Sequence, residues 1–78
     1  MSKIIYTLHA LKRLRERGIH KFLVEDCIKN PCKVISEDNV KKAIKRIDNR
    51  VLVVVYRVEN DIIVVITAYI SSKIRKYF

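Results

Sequence analysis

Glycine and proline are almost missing from this chain, one of each among 78 residues, while half of the residues are hydrophobic. That composition excludes a disordered tail and predicts one small globular domain over residues 1–78, near the lower size limit for a self-sufficient core. A domain this small gains from dimerisation or from a tight partner. Acidic side chains are also scarce. Eight Asp and Glu face seventeen Lys and Arg, a formal net charge of +9. So large an excess on so small a surface makes a positive field that attracts polyanions, with nucleic acid, an acidic protein and an anionic membrane surface as candidate classes. There is no glutamine beside abundant Ile, Val and Lys. That bias hints at a thermophile, where intracellular disulfides become commoner.

Two cysteines, Cys27 and Cys32, are too few for a paired metal knuckle. They could join His9 or His20 around a metal or form a disulfide. The favoured reading is two buried, reduced, small hydrophobes, with no metal and no cofactor. Met1-Ser2-Lys3 leads into only a short apolar run. This predicts no secretory leader and a cytoplasmic protein. No internal repeat or low-complexity stretch is present.

A long uninterrupted hydrophobic segment is lacking as well. Val51 to Ile70 comes closest, but Arg57, Glu59, Asn60 and Asp61 sit at its middle. In a membrane helix they would lie at the bilayer centre, at a cost of several kcal/mol each. Val-Leu-Val-Val-Val-Tyr-Arg-Val and Ile-Ile-Val-Val-Ile-Thr-Ala-Tyr-Ile instead suit two strands of a hairpin. A three-residue loop, Glu59-Asn60-Asp61, would pair Val58 with Ile62 and Val54 with Ile66. Leu52, Val54, Tyr56, Val58, Ile62, Val64, Ile66 and Ala68 then share one face. Val51, Val53, Val55, Arg57, Ile63, Val65, Thr67 and Tyr69 share the other, which collects every polar side chain of the hairpin. A two-residue turn at Asn60-Asp61 would slip one strand by a residue and scatter them.

Upstream, Lys3 to Tyr6 suits a short strand, and Thr7 an N-cap for a helix from Leu8 to Arg17 that Gly18 stops. His9, Arg13 and Arg17 recur every four residues and line one face of it. A second helix starts at His20 or Lys21 and runs to about Lys29, burying Leu23, Val24, Cys27 and Ile28, and Asn30-Pro31 ends it. Lys33 to Ser36 reads as a strand and Glu37-Asp38-Asn39 as a turn. Val40 to Ile47 fits both periods. Asp48-Asn49, a two-residue hairpin signal, decides for a strand, which makes Lys41, Lys42, Lys45 and Arg46 its basic side chains. The tail carries Lys73, Arg75 and Lys76 as a last helical turn or a loose end. The predicted fold is α+β, in the order β-α-α-β-β-β-β, with two N-terminal helices packed on one face of an antiparallel sheet and an open, concave, basic opposite face.

The run His9-Ala10-x-x-Arg13-x-x-x-Arg17-Gly18-Ile19 resembles the opening of a small prokaryotic family of unknown function. Val24, Asn30-Pro31, Val34, Val54 to Tyr56 and Thr67-Ala68-Tyr69 follow in the same order. The layout is similar to BrnT-type toxins and more distantly to the RelE/ParE superfamily of toxin–antitoxin systems. The resemblance covers nearly the whole chain. It implies a RelE/ParE-like sheet-and-helix fold and, in active relatives, a metal-free ribonuclease acting on RNA and inhibited by an acidic antitoxin protein. His9, Arg13 and Arg17 match the opening signature, and Tyr69 matches the aromatic that ends the last strand. BrnT-like toxins tend to have Arg where this chain has Tyr69, and a longer basic helix where it has Lys73 to Lys76.

Metal-free RNA cleavage needs a base for the 2′-hydroxyl, an acid for the leaving 5′-oxygen and cations around the phosphate. Histidine, with an unperturbed pKa of about 6.5, can serve as either near neutrality. The candidate catalytic residues are therefore His9 as acid/base, Arg13 as charge stabiliser with Arg17 adding positive charge beside it, and Arg57 and Tyr69 to hold phosphate or stack a base. Arg17, Lys41, Lys42, Lys45, Arg46, Lys73, Arg75 and Lys76 are the candidate nucleic-acid contacts. Against it stands a structural account, in which His9 bonds a backbone carbonyl at the helix–sheet seam and Tyr69 closes the core. The domain would then be an inactive basic module that binds nucleic acid or an acidic partner. Convergence of His9, Arg57 and Tyr69 in one cleft favours an enzyme, and dispersal favours binding.

Overall fold

A computed structural model describes residues 3–78. The chain runs β1 (Lys3–Tyr6), α1 (Leu8–Arg17), α2 (Lys21–Lys29), β2 (Lys33–Glu37), β3 (Val40–Ile47), β4 (Arg50–Glu59), β5 (Ile62–Ser71) and α3 (Ile74–Tyr77). This is the predicted α+β order, closed by one further helical turn. Local chemistry sets the boundaries. Thr7 Oγ1 accepts the Ala10 N–H at 3.0 Å, capping α1. Gly18 ends that helix in the left-handed conformation, with φ 63°. Asn30, held away from the α region by Pro31, ends α2.

One glycine cannot serve three hairpins, so short polar residues turn them. Asp38 (φ 54°), Asp48 (φ 53°), Asn60 (φ 48°) and Asp61 (φ 66°) take the left-handed backbone that, after glycine, Asn and Asp tolerate best. Glu37 accordingly belongs to β2, and only Asp38-Asn39 make the first turn.

The sheet order is β1-β5-β4-β3-β2. It is mixed, not wholly antiparallel, because β1 pairs with β5 in parallel. The chain leaves β1 through two helices and three strands, a connection long enough for a parallel neighbour. The β4–β5 loop also differs from the three-residue expectation. Asn60 and Asp61 both take positive φ and form a two-residue turn, so Val58 pairs with Ile63 rather than Ile62. A bulge then absorbs the slip. Tyr56 pairs with Val65 and Val55 with Thr67, leaving Ile66 as the extra residue. Ile63 and Val65, rather than Ile62 and Val64, consequently join Tyr56 under the helices, while beyond the bulge Ala68 keeps its expected face. Thr67 and Tyr69 keep the opposite face.

The main core lies between the helices and the sheet. Ala10, Leu14, Ile19, Val24 and Cys27 pack on Ala43, Leu52, Val54, Tyr56, Val65 and Ala68. Tyr6 Oη donates to Glu25 Oε2 at 2.8 Å, tying β1 to α2. Burial, then this bond, raises the Tyr6 phenol pKa. The opposite face is not left open. α3 folds over Ile44, Val51 and Val53, with Tyr77 buried and Ile74 and Tyr69 beside it. Of the cysteines, both reduced, Cys27 is buried and Cys32 exposed, against the expectation that both are buried. Burial pushes the Cys27 thiol up to about 12, so it is a structural and not a reactive group. Among the described residues no helix is long and apolar enough to cross a membrane.

Candidate nucleic-acid interface

The four-residue spacing on α1 produces a polar row. Arg13 Nε donates to His9 Nε2 at 3.4 Å, and Arg13 Nη1 donates to Glu16 Oε1 at 2.7 Å. The Arg13 bond holds the Glu16 carboxyl below its usual range. His9 is exposed on the helix, and its hydrogen bond among the described residues is to Arg13, not to a carbonyl at the helix–sheet seam. Arg17, at the end of the row, reaches the rim of the sheet, where its Nη1 donates to the Ala68 carbonyl at 2.7 Å.

At that rim, where β4 begins and β5 ends, Arg17, Arg50, Tyr69, Ile70 and Ser72 line a shallow hollow of about 680 Å³. Antiparallel pairing brings these groups together, because Val51 lies opposite Ser71 and Val53 opposite Tyr69. Among the described residues neither Arg17 nor Arg50 pairs with a carboxylate. The Tyr69 hydroxyl lies 3.0 Å from that of Tyr77. Burial, and then this bond, pushes the Tyr69 phenol up to about 12. It is therefore neutral near pH 7, a hydrogen-bonding group and a stacking surface rather than a base. Two cations with free donor capacity beside two hydroxyls form an anion-binding arrangement, since guanidinium presents a planar fork suited to phosphate.

The predicted catalytic four are not brought into one cleft. Arg57 bonds Glu59 at 2.8 Å and lines a separate hollow with Asp38, Asn39, Lys41 and Val58. Tyr69 pairs with Val53, four residues before Arg57 on β4, a separation of about 13 Å along the strand. His9 lines neither hollow. Only His9 and Arg13 touch, while Arg17 and Tyr69 share a site.

The basic run of β3 is also divided, because successive strand residues face opposite ways. Lys41 and Lys45 share the helix side with Ala43, whereas Lys42 and Arg46 share the α3 side with Ile44. Lys45 Nζ donates to Asp26 Oδ2 at 2.5 Å, a bond that lowers the pKa of Asp26 and raises that of Lys45. Lys73, Arg75 and Lys76 are exposed at α3, Lys76 Nζ lying 5.6 Å from the centre of the Tyr77 ring. Arg50 was not among the expected residues. Its place beside the Asp48-Asn49 turn suggests a solvated turn flank, yet the antiparallel pairing of its strand start with the end of β5 is the signal that locates it.

Residues 6–70 match a protein family described as a domain of unknown function, DUF4258. The chain belongs to this family. The DUF4258 span runs from the last residue of β1 nearly to the end of β5, including His9, Arg13, Arg17, Arg50 and Tyr69, and stops before α3. No curated protein and no solved structure matches the chain.

Proposed function

We propose that this DUF4258 domain is a toxin-like module that binds RNA through its phosphates, with the Arg17–Arg50 hollow as the main grip. The observation that carries this reading is the pair of arginines, with no carboxylate partner among the described residues, flanking Tyr69 on a chain of net charge +9. Arginines already held by acids offer much less, as Arg57 does with Glu59. Phosphate contacts release counterions, so binding weakens steeply as salt rises. Fluorescence anisotropy with a labelled single-stranded RNA across a salt series tests this. Arg17→Ala and Arg50→Ala should each weaken binding and reduce the salt slope by about one, as for a single lost phosphate contact. Absence of binding at low salt, or unchanged binding in both variants, rejects the reading.

The His9–Arg13 contact favours a second reading, metal-free ribonuclease activity of the kind the toxin resemblance implies. His9 and Arg17 are eight residues apart on α1, about 12 Å. A strand seated in the hollow could thus extend along the row to an imidazole able to move protons. Incubation with mixed single-stranded RNA in EDTA should then give cleavage that His9→Ala abolishes. Retained binding without cleavage leaves the first reading alone. An acidic antitoxin-like protein suits the same positive surface, and we expect it to compete with RNA.

A further inference from the structure

We propose that the edge strand β2 pairs antiparallel with the β2 of a second copy, joining the two sheets across a twofold axis at Ile35. β2 ends the sheet, with β3 as its one strand neighbour, and four of its five residues are exposed. The hydrogen-bonding direction along it follows from its turn. In a hairpin closed by two residues, the flanking pair exchanges backbone bonds, here Glu37 and Val40. Ile35 and Lys33 then also direct their backbone groups to β3. Val34 and Ser36 direct theirs outward, an open ladder of the kind edge strands usually protect. Pro31 lies before the strand and gives no protection within it.

The sequence of β2, Lys33-Val34-Ile35-Ser36-Glu37, is complementary to itself when reversed. An axis through Ile35 places Val34 opposite Ser36 twice, so the two outward-directed residues of each copy bond each other. Ile35 meets Ile35 at the non-hydrogen-bonded position, where opposed side chains approach most closely. Lys33 falls opposite Glu37 twice, on the sheet face shared with Ile35. Val34, 44% exposed in one copy, would be covered. β1 at the other edge has no such complement, for Lys3-Ile4-Ile5-Tyr6 contains no acid. Lys42 and Arg46, on that same face of β3, would be duplicated across the axis and widen the basic surface. The pairing stands independently of RNA binding.

The contact is small, so a concentration-dependent dimer is expected. Sedimentation equilibrium of the full chain over a concentration series should show it. Lys33→Glu and Glu37→Lys each set like charges opposite one another twice, and each should weaken the dimer on the order of tenfold. Mixing the two variants restores both opposite-charge pairs and should recover near wild-type association, a result no loss of folding could produce. Circular dichroism confirms that each variant is folded, and hydrogen exchange on the wild type should show Val34 and Ser36 amides protected only at high concentration. A wild type that stays monomeric overturns the proposal. So does a dimer indifferent to both charge reversals, or a mixture that does not associate better than either variant alone.

Discussion

Under α1 and α2 the sheet buries Leu52, Val54, Tyr56, Val65 and Ala68 against two helices, whereas on its other face one short turn, α3, covers Ile44, Val51 and Val53. The same strand supplies both layers. Val51, Leu52, Val53 and Val54 are all fully buried, which is why β4 reads as a continuous apolar run instead of alternating. The coverings differ in extent, with eleven buried side chains in the first cluster and four in the second among the described residues. The larger cluster should therefore carry most of the stability. The smaller one should act mainly on Tyr69, which is both part of that cluster and a wall of the arginine hollow.

Truncation in the helix-side core should have the largest effect. Leu52→Ala leaves a cavity against α2 and should lower unfolding free energy by about 2–5 kcal/mol in urea titration. Tyr77→Ala strips the other face and should cost less, about 1.5–3 kcal/mol. If the two variants cost the same, the ranking of the faces is wrong. The Tyr77 variant should also return the Tyr69 phenol from about 12 toward its ordinary 10, read by ultraviolet titration of tyrosinate. Thr7→Ala removes the α1 cap and should cost about 1 kcal/mol, without altering that titration.

Tyr69→Phe, smaller still near neutral pH, tests the raised Tyr69 phenol, shifted by burial and then by the Tyr77 bond, through pH. The Tyr69 pKa is raised on folding, so its contribution is complete below 10 and is lost as pH rises through about 12. Melting temperature measured between those limits should fall less steeply in Tyr69→Phe than in the wild type. An identical alkaline slope would mean that neither burial nor the Tyr77 contact raises the Tyr69 phenol on folding. The smallest effect belongs to Lys45→Met, which breaks the exposed pair with Asp26 and should leave the melting temperature nearly unchanged at neutral pH.

Much of the architecture was legible in local chemistry. Thr7 and Gly18 bracket α1, Pro31 closes α2, and Asp48-Asn49 turns β3 into β4, each through a preference that acts within a few residues. The β4–β5 register was not legible. Asn60 and Asp61 are compatible with a two- or a three-residue loop, and the bulge at Ile66 hides the difference by restoring the phase before Thr67. The candidate site was legible in residue type and only partly in grouping. Arg17 and Tyr69 were recognisable, but Arg50 comes to them through strand pairing. Arg57 looked equivalent to both until Glu59, two residues on and on the same side of the strand, took its guanidinium.

By itself the sequence determined the class of this protein: a small basic α+β domain with capped helices and Asx-turned hairpins, because capping, strand period and net charge are local or summed properties. The tertiary structure alone decided which cations remain free, which strands are buried on both faces, and that α3 covers Tyr69. Those outcomes depend on the partner each side chain meets across the sheet, and strand order and register, rather than neighbouring residues, determine that partner.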